Sequence, residues 1–178
     1  RGIYWQKLNR WITRNEELYE VSHYGRPKTS AEGWTVAFSG ELRKPCTLSL
    51  DDLKRRKVRT VTATLECGGN GSSPGFLGAI GNMRWTGTPL GPLLRDLGLT
   101  RRSEEVVFYG ADEKVEKIRE KDYPQHFARS LSLEHALRDE VLLAWEMNGE
   151  PLSDAHGLPL RLIVPGWFGI AWVKWLNR

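Results

Sequence analysis

The sequence predicts an α+β fold built from mixed or antiparallel sheets and short helices. Three observations carry this expectation. Short segments that alternate side chains with a two-residue period recur along the chain, with 60–66 and 34–38 the clearest. The best helical face is brief and consists of Leu90, Leu93, Leu94 and Leu97. Asn148-Gly149 follows an apolar run and is a strong signal for a tight hairpin turn.

The elements follow in order. Residues 1–17 mix Trp5, Leu8, Trp11 and Ile12 with basic residues, and Leu8, Trp11 and Ile12 match one helical face. Residues 18–24, LYEVSHY, read as a strand, and Gly25, Pro27 and Gly33 mark the loop after it. Residues 34–38 form a strand that stops at Ser39-Gly40, and 46–48 form another. Ser49 caps a short helix with Asp51 and Asp52 in its first turn. The basic residues Lys54 to Lys57 read as its solvated end. Residues 60–66 are a strand: Val61, Ala63 and Leu65 share one face, and Thr62, Thr64 and Glu66 the other. Residues 76–84 show no clear period. Thr88 and Pro89 open the leucine-faced helix and Gly98 closes it. Residues 106–109 read as a strand, 112–121 as a charged exposed loop or helix, and 132–137 as a short helix. The final strands are 140–147, 160–164 and 171–176.

At 178 residues the chain suits a single domain, 1–178, that folds without disulfide or structural zinc. Beginning at Arg1, it is expected to be a fragment or a processed form. Cys46 and Cys67 lie in differently patterned segments and imply no disulfide framework. The net charge of +4 is mild and dispersed. It suits an anionic substrate or an acidic protein partner and does not support nucleic-acid binding. No run approaches the ~18 apolar residues of a membrane span. Oligomeric state cannot be read from these properties.

Residues 60–71, TVTATLECGGNG, organise the rest. A stiff strand ends at Cys67 and runs into Gly68, Gly69 and Gly71, which permit backbone angles closed to other residues. A free cysteine is most often a small buried filler. A filler needs no glycine loop beside it, whereas a thiolate that meets a bulky cofactor does. Soft thiolate also suits redox-active metals.

TATLECGGNG resembles the segment of the sulfite oxidase family that supplies the cysteine ligand of molybdenum. The resemblance implies a sulfite-oxidase-like molybdopterin-binding fold, with Cys67 on the metal and a pterin dithiolene supplying two more sulfurs. Residues 146–176 contain His156, Arg161 and Lys174 around Gly157-Leu158-Pro159 and Pro165-Gly166. Such groups near tight turns can hold an anion, and equally Arg161 and Lys174 can be outward residues of half-buried strands. The stretch resembles the family's histidine-glycine-any-proline-any-arginine motif, followed by valine-proline-glycine and a lysine-tryptophan pair. That resemblance implies that His156 and Arg161 contact the pterin phosphate and that Lys174 lies near the cofactor. Residues 78–87 resemble the family segment after the cysteine loop, which implies a catalytic place for Arg84. Residues 19–24 put His23 on the family's cofactor-contacting histidine.

The departures concern substrate more than cofactor. The family typically has arginine where Val21 stands, a tyrosine where Phe127 aligns, and arginine where Ala171 stands. A lysine common after the cysteine loop has no counterpart in the short stretch 72–77. The resemblance implies a molybdenum-molybdopterin oxidoreductase that catalyses two-electron oxygen-atom transfer on a small sulfur substrate. The same cofactor running in reverse would make a reductase of S-oxides. Readings of other classes are a cysteine nucleophile with His156 or His126 as base, and a basic protein-interaction module without catalysis. No haem-binding C-x-x-C-H and no G-x-G-x-x-G is present. Electrons would therefore pass to an external electron-transfer protein such as a cytochrome. The expected location is periplasmic ahead of cytoplasmic.

Overall fold

The structure is a computed structural model and describes residues 9–178. In chain order it contains β1 (Thr35–Phe38), β2 (Cys46–Ser49), α1 (Leu50–Lys54), β3 (Arg59–Glu66), β4 (Ile80–Pro89), α2 (Leu90–Leu97), β5 (Glu105–Ile118), β6 (Lys121–Ser132), α3 (Leu133–Ala136), β7 (Leu142–Met147), β8 (Glu150–Pro151) and β9 (Arg161–Ile163). β3, β4 and β7 form the centre of one sheet, and β8 and β9 both pair with the far edge of β7. β1–β2 and β5–β6 are separate hairpins. Every strand pairing described is antiparallel, in keeping with the α+β expectation.

β7 is buried along nearly its whole length, so it reads as a continuous apolar run rather than an alternation. Trp85, Met83 and Leu162 share the buried core with it. Trp85 meets Trp172 edge-on at 5.8 Å between ring centroids, a favoured aromatic geometry. α1 starts as its sequence indicates. The Asp52 N–H donates to Ser49 Oγ at 3.1 Å and the Ser49 N–H donates to Asp52 Oδ2 at 2.9 Å, a reciprocal cap. α2 buries Leu90, Leu93, Leu94 and Leu97, and Gly98 closes it in the left-handed conformation.

Several expectations are corrected. The helical face proposed for 1–17 lies partly outside the described residues. Within them, the chain makes only a single turn, Asn15–Glu17. Residues 18–24 form no strand. Leu18 and Tyr19 are consecutive and both buried, because this segment walls a cavity instead of pairing. The stretch 76–84 contains the start of β4. Its inward positions include Gly81, which leaves no hydrophobic mark on the alternation. Residues 112–121 are neither loop nor helix but the outer part of the β5–β6 hairpin. Both faces of that arm meet solvent, with Val115 and Ile118 exposed, so no burial pattern reveals the strands. Residues 171–176 form no regular strand. A single turn, Gly169–Ala171, leads into a bent segment. That segment accepts the Leu162 N–H on the Val173 carbonyl at 2.8 Å and the Ala111 N–H on the Trp175 carbonyl at 2.9 Å. It ties β9 to β5 where the β5–β6 register breaks, between Tyr109 and Glu113. Both cysteines are free. Among the described residues no helix is long and apolar enough to cross a membrane.

Candidate active site

β3 delivers Cys67. It pairs with β4 from Arg59 opposite Gly87 to Glu66 opposite Ile80, so the strand is held to its last residue. The Cys67 N–H donates to the Ala79 carbonyl at 2.9 Å, and the Asn70 N–H donates to the Cys67 carbonyl at 2.9 Å. The Asn70 amide then clamps the loop. Its Nδ2 donates to Glu66 Oε1 at 3.1 Å and its Oδ1 accepts the Ala79 N–H at 3.0 Å. The thiol is half-buried and faces a cavity of about 280 Å³, beside the bare backbone of Gly68 and Gly69.

The opposite wall is cationic. A single turn, Asp154–His156, ends at Gly157 with φ of 101°. A Cβ there would sit 3.1 Å from the Cβ of Lys174 and 3.2 Å from that of Arg161. Glycine therefore lets the three segments close on one another. Arg161, on β9, is 2% exposed. Its Nη1 donates to the His156 carbonyl at 3.0 Å and its Nη2 to the Trp172 carbonyl at 3.3 Å, with the guanidinium 4.9 Å from the centre of the Trp85 ring. Lys174 Nζ donates to the Ala155 carbonyl at 2.9 Å.

Burial disfavours charge at all three groups. It draws Arg161 down to about 10. It also draws Lys174 down to about 8, with Arg161 adding repulsion. His156 falls to about 4, through burial first and then through Arg161 and Lys174. Neither Arg161 nor Lys174 forms an ion pair with a carboxylate among the described residues. The result is a buried positive site that an anion would complete.

One consequence is measurable in the cofactor-free protein. A His156 held at about 4 binds fewer protons when folded than when unfolded, where 6.5 is the ordinary value. Stability therefore rises with pH between about 4 and 6.5, by on the order of 3 kcal/mol, and is flat above that window in this contribution. Urea unfolding across pH should show this slope, and His156→Gln should flatten it. An unchanged slope in the variant would mean that His156 is not buried in its neutral form.

His23, Cys67, His156, Arg161 and Lys174 all line the one cavity. Arg84 does not, and its expected catalytic place is corrected. It lies between Met83 and Trp85, both in the core, so strand alternation turns it to the other face of β4, opposite Thr62 and exposed. His126 is also outside, paired with Glu113 on the hairpin arm at 3.8 Å. Val21 and Phe127 line the cavity, and His23 packs on Phe127 at 5.9 Å.

Asp112 and Tyr19 are among the wall residues that the sequence reading missed. Asp112 is 3% exposed, and burial raises its carboxyl above the ordinary range, against the pull of Lys174 and His23. The signal was available: Phe108, Gly110 and Asp112 alternate inward along β5. Tyr19 is 7% exposed and had no such periodic mark.

Two buried polar atoms on this wall, Arg161 Nε and Asp112 Oδ1, have no hydrogen-bond partner among the described residues. Such atoms call for a ligand with both acceptors and donors. No group of three His, Cys, Asp or Glu among the described residues could cage a metal ion. A metal held by Cys67 would therefore bring further ligands of its own. The residues fit a group with an anionic end, a polar ring edge and a metal that is largely ligated before it binds.

Comparisons with known proteins agree. The family model described as the oxidoreductase molybdopterin binding domain matches residues 23–178. The chain is 38% identical over 183 residues to mitochondrial sulfite oxidase of Drosophila melanogaster, covering 94% of this chain and 30% of that protein. It is 34% identical over 178 residues to NADH nitrate reductase 2 of Phaseolus vulgaris, covering 90% and 20%. Its structure superposes on the crystal structure of the sulfane dehydrogenase SoxCD from Paracoccus pantotrophus with a TM-score of 0.83 and 32% identity, covering 97% of this chain and 44% of that one. The chain thus spans less than half the length of these relatives.

Proposed function

The chain belongs to the oxidoreductase molybdopterin binding domain family, and from that premise we propose that its cavity carries two-electron oxygen-atom transfer on a sulfur compound less charged than sulfite. It is a molybdopterin-binding oxidoreductase domain of the sulfite oxidase, nitrate reductase and sulfane dehydrogenase type. When bound, the cofactor supplies a metal that cycles by two electrons. The Cys67 thiolate would hold that metal. Arg161, His156 and Lys174 would hold the phosphate, and Asp112 and His23 the polar edge of the pterin. Written for a sulfur centre, the reaction consumes water and yields a new S–O bond, two protons and two electrons. Its reverse is the reduction of an S-oxide. The electrons would leave through an external electron-transfer protein such as a cytochrome.

The observation that supports the substrate reading is the carbon surface around Cys67. Val21, Leu65, Phe127 and Ile170 contribute no donor to the cavity. The cations Arg161 and Lys174 lie at the other wall, where the cofactor phosphate would take them up. A dianion entering here would lose hydration without gaining fixed charge. Steady-state kinetics with an artificial electron acceptor or donor test this, comparing sulfite oxidation with methionine sulfoxide reduction. Sulfite should turn over poorly in the wild type, and Val21→Arg should raise its kcat/KM by about ten- to a hundredfold. Efficient wild-type sulfite oxidation that the added arginine leaves unchanged would defeat the reading.

A further inference from the structure

We propose that the Tyr19 hydroxyl positions the substrate by donating a hydrogen bond to an oxygen on its sulfur, beside Cys67. The proposal rests on the oxygen-transfer reading above and adds to it the group that orients the substrate. Tyr19 follows the single turn Asn15–Glu17 and its ring is buried in the cavity wall. The hydroxyl is located by its neighbours. A Cβ built on Gly169 would lie 2.9 Å from it, 3.0 Å from Leu65 Cδ1 and 3.3 Å from the Glu66 carbonyl oxygen. The phenol therefore ends against the last residues of β3, next to the strand terminus that carries Cys67, and it fits there only because position 169 has no side chain.

The other side-chain donors buried around the cavity bond to backbone or belong to the phosphate end, where Arg161 Nε is left for the anion. Arg161 and Lys174 donate to backbone carbonyls. Trp172 Nε1 donates to the Trp167 carbonyl at 3.0 Å and Trp175 Nε1 to the Asp154 carbonyl at 3.0 Å. The Tyr19 hydroxyl has no hydrogen-bond partner among the described residues. A tyrosine phenol ordinarily keeps its proton up to about pH 10. A neutral phenol at this point is a donor at any working pH, amid the carbon surface of Val21, Leu65, Phe127 and Ile170. An S–O oxygen is the acceptor such a wall lacks. A neutral donor also suits an uncharged sulfoxide better than a dianion.

Tyr19→Phe in the cofactor-loaded protein tests the assignment. The change removes one oxygen that bonds to nothing else, so the melting temperature should stay within about a degree. The KM for methionine sulfoxide should rise about tenfold while kcat changes less than about threefold. A readout independent of turnover uses protein labelled with carbon-13 at the tyrosine ring carbon that bears the oxygen. The Tyr19 signal, identified by its absence in Tyr19→Phe, should move saturably when methionine sulfoxide is added to the oxidised holoenzyme, which cannot reduce it. Gly169→Ala should displace the hydroxyl and raise KM similarly. A Tyr19 signal that does not respond, or a KM within about twofold of wild type in Tyr19→Phe, would overturn the proposal. So would a loss of pterin or molybdenum in Tyr19→Phe, which would assign the hydroxyl to the cofactor. Failure of the functional reading itself is visible earlier: wild-type protein from a cofactor-competent host would then hold no molybdenum, and both readings would fall.

Discussion

Cys67→Ser is expected to abolish turnover while leaving the pterin bound. Cys67 Sγ is the only cysteine sulfur on the cavity wall, and serine offers a hard, protonated oxygen in its place. Loss of groups that merely support a metal ligand typically costs ten- to a hundredfold, so loss of the ligand itself should exceed about a hundredfold in kcat. Retention of the pterin follows from the division of labour in the structure. The residues proposed to hold the anion come from the 154–157 turn, β9 and Lys174, none of which depends on the β3–β4 loop. The loop should also keep its shape, because its clamps are backbone bonds and the Asn70 amide. Pterin and molybdenum should be quantified per protein chain beside steady-state rates. Near-wild-type turnover with molybdenum bound would remove Cys67 from the metal.

Arg161→Ala is expected to lose both cofactor and stability. The guanidinium holds the His156 and Trp172 carbonyls together and covers the Trp85 ring. Alanine would leave two buried carbonyls without their donors, at about 1–3 kcal/mol each, and a void beside Trp85. A net loss on the order of 3–5 kcal/mol is the expected shift in urea unfolding of the cofactor-free protein. Cofactor affinity should fall about ten- to a hundredfold or more, because the buried positive site loses its central charge. Arg161→Lys separates the two effects. It keeps a charge in the site but loses the planar fork, so it should recover part of the affinity and little of the carbonyl bonding. Full pterin occupancy of Arg161→Ala after dialysis would show that the phosphate is held elsewhere.

Periodicity was a reliable guide wherever one face of an element is buried and carries visible side chains. β1, β3 and the leucine stripe of α2 were legible for that reason, whereas β7 was marked by its continuous apolar run and α1 by its Ser49 cap. β4 was obscure because its inward face includes Gly81 and Gly87, and without its phase Arg84 could not be seen to point outward. The outer β5–β6 arm was obscure because both its faces meet solvent. The residue types of the site were also written in the chain: a cysteine before a glycine loop, and histidine, arginine and lysine around two turns. Their meeting was not. It depends on Gly157 letting residues 161 and 174 close together, and on the last residues of the chain bonding to β5 at Tyr109 and Ala111. Asp112 became a wall residue through those contacts with β5, and Tyr19 through its approach to Gly169. Burial at a site is set by whatever packs against it, and the partners here are separated by most of the chain.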